Sequence, residues 1–378
     1  MGSLQIRLLL PSLNYCNAFI IMFKAKRIAI NGYGRIGRAV LRAIVERGLQ
    51  HQLQVVAIND LGIAESVVYE TRYDSVHGAF PAKVEATDKG MRIVSNVASA
   101  TNNDAAASAV INIDLLQVSN ATALPWGDLA IDLVMECSGK MSDRKLAEQH
   151  LTNGAGKVLI GAAAGTEVDL TVVYGINHDQ LKPWHRIVSN ASCTTNCMAP
   201  VLKPLNDAIG IEDGLMTTIH AYTNGQVLTD TVIDKTDLRR GRSATQSMIP
   251  TSTHATEALG WVLPELADKI TGISMRVPTI NVSVVDLVFR PSRDVTVAEI
   301  NQIMADAVAN DSHDVLGYNE QPLVSIDFNH CSKSATFDAT QTMKMGQLIK
   351  ILAWYDNEWG YANRMIDVAL AMLDKSNV

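Results

Sequence analysis

Between residues 27 and 31 the apolar positions run without interruption through Ile28, Ala29 and Ile30 and stop before Gly32, the pattern of a short buried strand. Ile36, Val40, Leu41, Ile44 and Val45 then recur at helical spacing and predict a helix over residues 36–47. A second apolar run at 54–59 makes the opening segment strand, glycine turn, helix, strand. Runs at 130–135 and 157–160 flank a helical pattern at 143–151 and continue the alternation of a parallel sheet. After residue 193 the pattern changes. A helix carrying Met198, Val201, Leu202, Leu205 and Ile209 contains Pro200 and Pro204, which predict a kink. Longer strand-like runs follow at 215–220, 273–277, 282–289 and 348–355, with helices between them, and residues 361–373 form a last helix. This second half reads as a mostly antiparallel sheet with helices on one face.

At 378 residues the chain exceeds one comfortable hydrophobic core, so two domains are expected. Residues 22–192 form the first, residues 193–356 the second, and the helix within 357–378 returns to the first. The formal charge is −7, and the basic residues are scattered apart from Arg239, Arg240 and Arg242, which argues against a nucleic-acid partner. Five cysteines at irregular spacing (Cys16, Cys137, Cys193, Cys197, Cys331) suit neither a disulfide framework nor a metal cage, and fit a reducing cytoplasm. In residues 1–21, Pro11, Asn14 and Asn17 divide the apolar runs, leaving each too short to span a bilayer, and no small-residue cleavage site follows. That stretch is expected to be an unstructured extension, or an overlong start with the working chain beginning at Met22.

Gly32-Tyr33-Gly34-Arg35-Ile36-Gly37 carries the glycine fingerprint of a dinucleotide site, with the required strand before it and helix after it. Gly32 permits the turn, Gly34 lets a pyrophosphate approach the backbone, Gly37 lets helix and strand pack closely, and the helix N-terminus favours the anion. A glycine turn that binds nothing is the plain alternative. Asp60 shifts the balance, since an acid at the end of the second strand can accept from the ribose hydroxyls and repel a 2′-phosphate. The first domain is therefore expected to be an α/β Rossmann domain taking NAD rather than NADP, beside an α+β catalytic domain.

Ser192-Cys193-Thr194-Thr195-Asn196-Cys197 places a cysteine at the start of the second-half helix, where the dipole favours a thiolate. Unaided, only a few per cent of a thiol is ionised at neutral pH, so a base is needed. His220 ends an apolar strand, as a presented base would. Taken singly, Cys193 could be a small buried apolar residue and His220 a satisfied sheet-edge histidine. Cys197, one turn further in, reads as core.

These segments, with Trp354-Tyr355-Asp356-Asn357-Glu358-Trp359-Gly360, resemble the glyceraldehyde-3-phosphate dehydrogenase family from about Lys26 to the C-terminus. The resemblance implies that Cys193 attacks an aldehyde, that His220 takes the thiol proton, and that a hydride leaves to NAD as a thioester forms. It implies that Asn357 holds the nicotinamide amide, that Ser138 and Gly139 line the cofactor, and that Arg35 and Ile36 sit at the pyrophosphate turn. Ser192, Thr194, Thr223, Arg240 and Arg276 would belong to the substrate site. Thr194, Thr253 and the next residue would hold the attacking inorganic phosphate, but that next residue is His254 where the family has glycine. Residues 222–242 resemble the family's S-shaped loop, with Gly225 where aspartate is common and two residues more in length. A homotetramer is implied by the resemblance alone.

Residues 323–330 and 185–190 look like the related erythrose-4-phosphate dehydrogenase, whereas Thr223 belongs to the glyceraldehyde-3-phosphate pattern. The leading expectation is oxidation of D-erythrose 4-phosphate to 4-phosphoerythronate, with water resolving the thioester as that resemblance implies, while the His254 side chain either crowds the anion site or, if protonated, adds to its charge. The alternative is a phosphorylating glyceraldehyde-3-phosphate dehydrogenase that forms 1,3-bisphosphoglycerate. Aspartate-semialdehyde dehydrogenase is opposed by Asp60 and by the Cys-Thr-Thr-Asn-Cys block. An inactive NAD-binding scaffold is opposed by the presence of both Cys193 and His220.

Overall fold

In the computed structural model, which describes residues 25–95, 109–234 and 236–374, two sheets organise the chain. The expectation for residues 1–21 lies outside the described residues. The first sheet contains β1 (Lys26–Asn31), β2 (Leu53–Asn59), β3 (Lys83–Thr87), β4 (Gly90–Ser95), β5 (Ala109–Leu116), β6 (Leu133–Glu136), β7 (Lys157–Ile160), β8 (Leu170–Thr171) and β9 (Ile187–Ser189). Its order is β3-β4-β5-β2-β1-β6-β7-β9-β8, with β3, β4 and β5 joined antiparallel and the remaining pairs parallel. Helices α1 (Arg35–Glu46), α2 (Ala64–Arg72) and α3 (Arg144–Thr152) belong to this half. Because β1 lies between β2 and β6, the chain leaves β1 in opposite directions across the sheet, and a crevice opens beyond the carboxyl ends of β1 and β6.

The second half begins with α4 (Cys193–Ile209) and continues through β10 (Ile211–Ala221), β11 (Ile249–Thr251), α5 (Ala255–Val262), β12 (Ile270–Val277), β13 (Ser283–Pro291), α6 (Val297–Ala309), β14 (Leu316–Asn319), β15 (Ala335–Asp338), β16 (Met343–Met345) and β17 (Leu348–Tyr355). The sheet is mixed. β10 pairs with β12, and β14 with β15, in parallel, while the other pairings are antiparallel. Its inner face packs on α4 and α6 through Leu202, Leu205, Ile300, Leu287, Phe289, Phe337 and Ile351, all almost fully buried. This burial outweighs the proline penalty in α4, which stays helical through both Pro200 and Pro204.

The last helix, α7 (Trp359–Asp374), packs along α1 in the core of the first half, with Ala362, Met365, Ile366 and Ala369 against Val40, Leu41 and Ile44. Lys157 Nζ donates to the carbonyl of Met372 at 2.9 Å, satisfying an end-of-helix acceptor. The chain thus crosses from first half to second at α4 and returns at α7, and both crossings border the crevice.

Candidate functional site

A cleft of about 1010 Å³ follows the crevice, large enough for a dinucleotide with a small substrate. Its floor is made by the turns after β1 and β6, and the glycines there are dictated by contact. A Cβ on Gly32, whose φ is +88°, would lie 2.4 Å from the Ser138 backbone. One on Gly37 would lie 2.3 Å from the Gly32 carbonyl. Gly34 meets nothing nearer than the Asn224 side chain at 4.0 Å, so the backbone there is open to a ligand. As the N-cap of α1 it also offers no side-chain acceptor, leaving the first N–H groups of the helix free to meet an anion. Asp60 accepts from the backbone N–H of Tyr33 at 2.8 Å and of Gly62 at 2.9 Å, which fixes the carboxylate at the cleft edge with lone pairs to spare.

At the other end, Cys193 is the first residue of α4. Ser192 caps the helix by accepting from the Thr195 N–H at 3.0 Å, Thr195 Oγ1 donates to the Ala255 carbonyl, and Asn196 Nδ2 donates to the carbonyls of Asn190 and Ser192. The polar residues of this block therefore build the turn that presents the thiol. Ala191 has φ +53°, an uncommon value for a residue with a Cβ, and its carbonyl accepts from Tyr361 Oη at 2.9 Å.

Cys193 Sγ lies 3.5 Å from His220 Nε2. His220 faces Arg276 because β10 and β12 run parallel with these two residues in register. Arg276 Nη1 is 2.7 Å from His220 Nδ1 and 3.2 Å from the Ala221 carbonyl. Burial, and then the Arg276 charge, push the imidazole down to about 3. Burial also pushes the Cys193 thiol up, against the opposing effects of Arg276 and of hydrogen bonding from Thr194. The sequence suggested a thiol lowered by the helix dipole; in the structure desolvation outweighs it, and the thiolate depends on a proton acceptor. Beneath the pair, Tyr355 Oη sits 3.0 Å from Thr194 Oγ1 and 2.7 Å from Thr218 Oγ1, its ring edge-on to His220 with centroids 5.9 Å apart.

Asn357 enters the cleft from the turn before α7. Its Oδ1 accepts from Ser283 Oγ at 2.8 Å, so its NH2 is turned away from Ser283. Ser283 in turn accepts from the Ala221 N–H. Val282, beside it, has φ +68°, a rare conformation for a β-branched residue. Arg35 is held by two carboxylates: its guanidinium meets Asp74, and its Nε lies 2.8 Å from Glu358 Oε1. What it offers a ligand is its backbone, at the first turn of α1.

Glu136, absent from the sequence-level candidates, underlies the cleft floor. Its Oε1 accepts from Ser138 N at 2.7 Å and Ser138 Oγ at 2.5 Å; its Oε2 accepts from Asn31 Nδ2 at 2.5 Å and faces His150 Nε2 at 3.0 Å. Trp126 Nε1, which can only donate, gives its hydrogen to His150 Nδ1, so the neutral His150 carries its proton on Nε2 and donates to Glu136. On the other side Asn59 Nδ2 donates to Asn31 Oδ1. Glu136 thereby ties the ends of β1, β2 and β6 to the turn carrying Ser138. A glutamate ending an apolar strand was the only sequence signal for it.

The structure brings Gly32, Gly34, Arg35, Ile36, Asp60, Ser138, Asn357, Ser192, Cys193, His220, Thr223 and Arg276 to one cleft. Gly37 supports it from behind. Thr194, Arg240, Thr253 and His254 do not line it. Thr194 is buried against Tyr355, whereas the Arg240 charge is felt at Arg276. Thr253 Oγ1 accepts from the Ala255 N–H, and His254 points to solvent, with Nδ1 3.3 Å from Glu257. The side chain expected to crowd an anion site is thus in solvent and not part of the cleft wall. Cys197 is fully buried, as its core reading required.

Comparison with known proteins follows the same division. A family model described as the glyceraldehyde 3-phosphate dehydrogenase NAD binding domain matches residues 26–144, and one described as the C-terminal domain of that enzyme matches residues 192–357. The chain is 53% identical over 346 residues to glyceraldehyde-3-phosphate dehydrogenase of Pseudomonas aeruginosa, covering 92% of this chain and 98% of that protein. It is 51% identical, with the same coverage, to the plasmid-borne glyceraldehyde-3-phosphate dehydrogenase of Cupriavidus necator. It is 50% identical over 347 residues to that of Xanthobacter flavus, again covering 92% and 98%.

Proposed function

This chain belongs to the glyceraldehyde-3-phosphate dehydrogenase family and is an NAD-dependent dehydrogenase, and from that premise we propose that it oxidises glyceraldehyde 3-phosphate and passes the acyl group to inorganic phosphate. The observation that carries this reading is the meeting of Cys193, His220 and Arg276 at one end of a cleft whose other end holds the glycine turn and Asp60. Arg276 supplies a guanidinium with no carboxylate partner among the described residues, suited to a phosphate.

Erythrose 4-phosphate becomes the second reading. The segments that suggested it, 185–190 and 323–330, contribute no residue to the cleft, so they bear on packing rather than on the substrate. His254, which suggested water as acceptor, is exposed to solvent at the start of α5, where its ring lies against Glu257 of the first turn and does not line the cleft.

In this mechanism the thiol proton passes from Cys193 Sγ to His220 Nε2, and the thiolate adds to the aldehyde carbon. The forming oxyanion is met by the Cys193 backbone N–H and the His220 imidazolium. Bound NAD supplies the acceptor for the hydride that leaves the thiohemiacetal. The Asn357 NH2, oriented by Ser283, is suited to the nicotinamide carboxamide, and Asp60 to the ribose hydroxyls. The Cys193 thioester then awaits phosphate. Leu215, Ile219 and Ile273, exposed on the outer sheet face, support assembly into a homotetramer, checked by light scattering; a monomer at micromolar concentration contradicts it.

Steady-state NADH formation from each aldehyde phosphate, with and without inorganic phosphate, tests the substrate and acceptor. Phosphate-dependent, saturable turnover of glyceraldehyde 3-phosphate is expected. Faster, phosphate-independent turnover of erythrose 4-phosphate would overturn the reading.

A further inference from the structure

Away from the reacting atoms, two histidines meet nitrogen to nitrogen. His330 Nδ1 lies 3.0 Å from His77 Nδ1, and His330 Nε2 lies 2.8 Å from Glu46 Oε2. His77 Nε2, buried and with no closer partner, lies 3.3 Å from Glu358 Oε2. The His330 ring stacks on Trp359 with centroids 3.8 Å apart, and the His77 side chain is only 2% exposed, so both rings are held in place. Both carboxyls stay ionised: burial raises each, but His330 and Arg42 hold Glu46, and Arg35 and His77 hold Glu358, below its ordinary value. The three contacts therefore need three ring protons, one for each carboxylate and one between the facing Nδ1 atoms. Two neutral imidazoles carry two. If both serve the carboxylates, two lone pairs oppose each other at 3.0 Å; if one sits between the rings, a bare Nε2 confronts a carboxylate. The bridge closes only when the pair shares a third proton and a single positive charge.

The bridge joins three segments around the cofactor cleft. His330 belongs to the second half, His77 to the turn after α2, and Glu358 to the turn between β17 and α7 that also carries Asn357. The His330 N–H donates to Asp356 Oδ2 at 2.7 Å, while Asp356 Oδ1 accepts from the N–H groups of Glu358 and Trp359. Asn329 Nδ2 donates to the Val76 carbonyl at 3.1 Å. Asn357 thus sits between two residues that the histidine pair holds. We propose that His77 and His330 are positioning residues that share one extra proton, and that this proton keeps the 356–358 turn where Asn357 meets the nicotinamide, so that NAD binding is coupled to proton uptake. The inference rests on the reading that Asn357 holds that group. The charged groups facing the pair from α1 are Glu46, with Arg42 behind it, and Arg35, which joins Asp74 to Glu358. Asp74 accepts from the His77 N–H at 2.9 Å, and Asp356 and Glu358 face the pair from the turn. Carboxylates outnumber guanidinium groups in this set, which supplies counter-charge for the shared proton. The contact to Glu358 is the longest of the three, so loss of the proton parts it first and releases the residue next to Asn357. By linkage, NAD that holds the turn also holds the proton, and NAD affinity falls as rising pH removes it.

Calorimetric titration of the full chain with NAD, repeated in two buffers of different ionisation enthalpy, counts the protons taken up. NAD affinity is followed in parallel from about pH 6 to about pH 9. Uptake of part of a proton is expected near the midpoint, with affinity about fivefold lower at the alkaline limit. His330→Gln keeps a donor towards Glu46 but cannot share a proton with His77, so its affinity is expected to be low and flat across the range, with no proton uptake. A merely structural histidine would weaken binding equally at every pH and leave the proton count unchanged. ADP-ribose, which lacks the nicotinamide, is expected to bind the parent without this pH dependence. No proton uptake by the parent, an unchanged pH dependence in His330→Gln, or the same dependence with ADP-ribose overturns the inference. Should His330→Gln fail to fold, the buffer comparison and ADP-ribose on the parent still decide it. If Asn357→Ala binds NAD as tightly as the parent, the nicotinamide reading falls and the coupling with it. If Asn357→Ala binds about tenfold more weakly while the parent takes up no proton, the bridge alone falls.

Discussion

Replacing Glu136 with glutamine keeps the shape of the side chain and reverses half of its hydrogen bonding. Four donors converge on the two carboxylate oxygens: Ser138 N and Oγ on Oε1, Asn31 Nδ2 and His150 Nε2 on Oε2. An amide accepts only at its oxygen; even turned so that its NH2 faces Ser138, whose hydroxyl can rotate to accept, one amide N–H still opposes the Ser138 backbone N–H, leaving both without an acceptor. Reorganisation is blocked at the Oε2 end. Trp126 fixes the His150 tautomer, while Asn31 is held by Asn59, whose own amide is fixed by the backbone N–H and carbonyl of Val118. The Glu136 side chain is 1% exposed, leaving no room for water to relieve the opposition. Two unsatisfied buried donors at about 1–3 kcal/mol each give a loss of about 2–6 kcal/mol. The turn that carries Ser138 against Gly32 loosens with it, so NAD affinity is expected to fall about fivefold or more. Differential scanning fluorimetry and calorimetric titration with NAD measure the two effects. A melting temperature within about 2 °C of the parent, together with NAD affinity within twofold, would refute the assignment of Glu136 as the buried acceptor that organises the cleft floor.

Gly37→Ala drives a Cβ to within 2.3 Å of the Gly32 carbonyl; the glycine turn must move, and NAD binding is expected to weaken at least tenfold while α1 stays folded by circular dichroism. Retained affinity would show that close packing at Gly37 is dispensable. The His220 value of about 3 lies below the ordinary 6.5 of the unfolded chain, so its contribution is present above pH 6.5 and is lost as pH falls towards 3. Between pH 7 and pH 5 that removes about 2 kcal/mol, and His220→Asn should lose correspondingly less stability over the same interval; equal acid dependence of unfolding in the two proteins would contradict a buried neutral imidazole. Asp60→Gly should narrow the preference for NAD over NADP by removing a charge that repels the 2′-phosphate, and an unchanged ratio of kcat/KM for the two cofactors would place the selection elsewhere.

Periodicity sufficed where an element is buried on a simple period. The strand expected at 157–160 is β7, and the helix expected at 36–47 is α1 within a residue at either end. It failed where burial is one-sided or slight: α2 buries only Val67, Val68 and Thr71, and β3 only Val84, so neither left a readable stripe. The glycine fingerprint and Cys193 were legible because their chemistry is local to a few consecutive residues. The contact between His220 and Arg276 was not, since it comes from the parallel register of β10 and β12, 56 residues apart in sequence. Glu136 was hidden for the same reason, its donors arriving from Asn31, Ser138 and His150. The sequence placed His254 after Thr253 but could not show the direction of its side chain, which lies in solvent beside Glu257.

The central claim is that glyceraldehyde 3-phosphate is carried as a thioester on Cys193 and released by inorganic phosphate. Mixing enzyme, NAD and glyceraldehyde 3-phosphate in phosphate-free buffer, quenching in acid and mapping the adduct by peptide mass spectrometry tests it directly. The account predicts a 3-phosphoglyceroyl group on the peptide containing Cys193, absent in Cys193→Ser and discharged when inorganic phosphate is added before the quench. NADH formation with no adduct on that peptide, or an adduct that persists in phosphate, would contradict it.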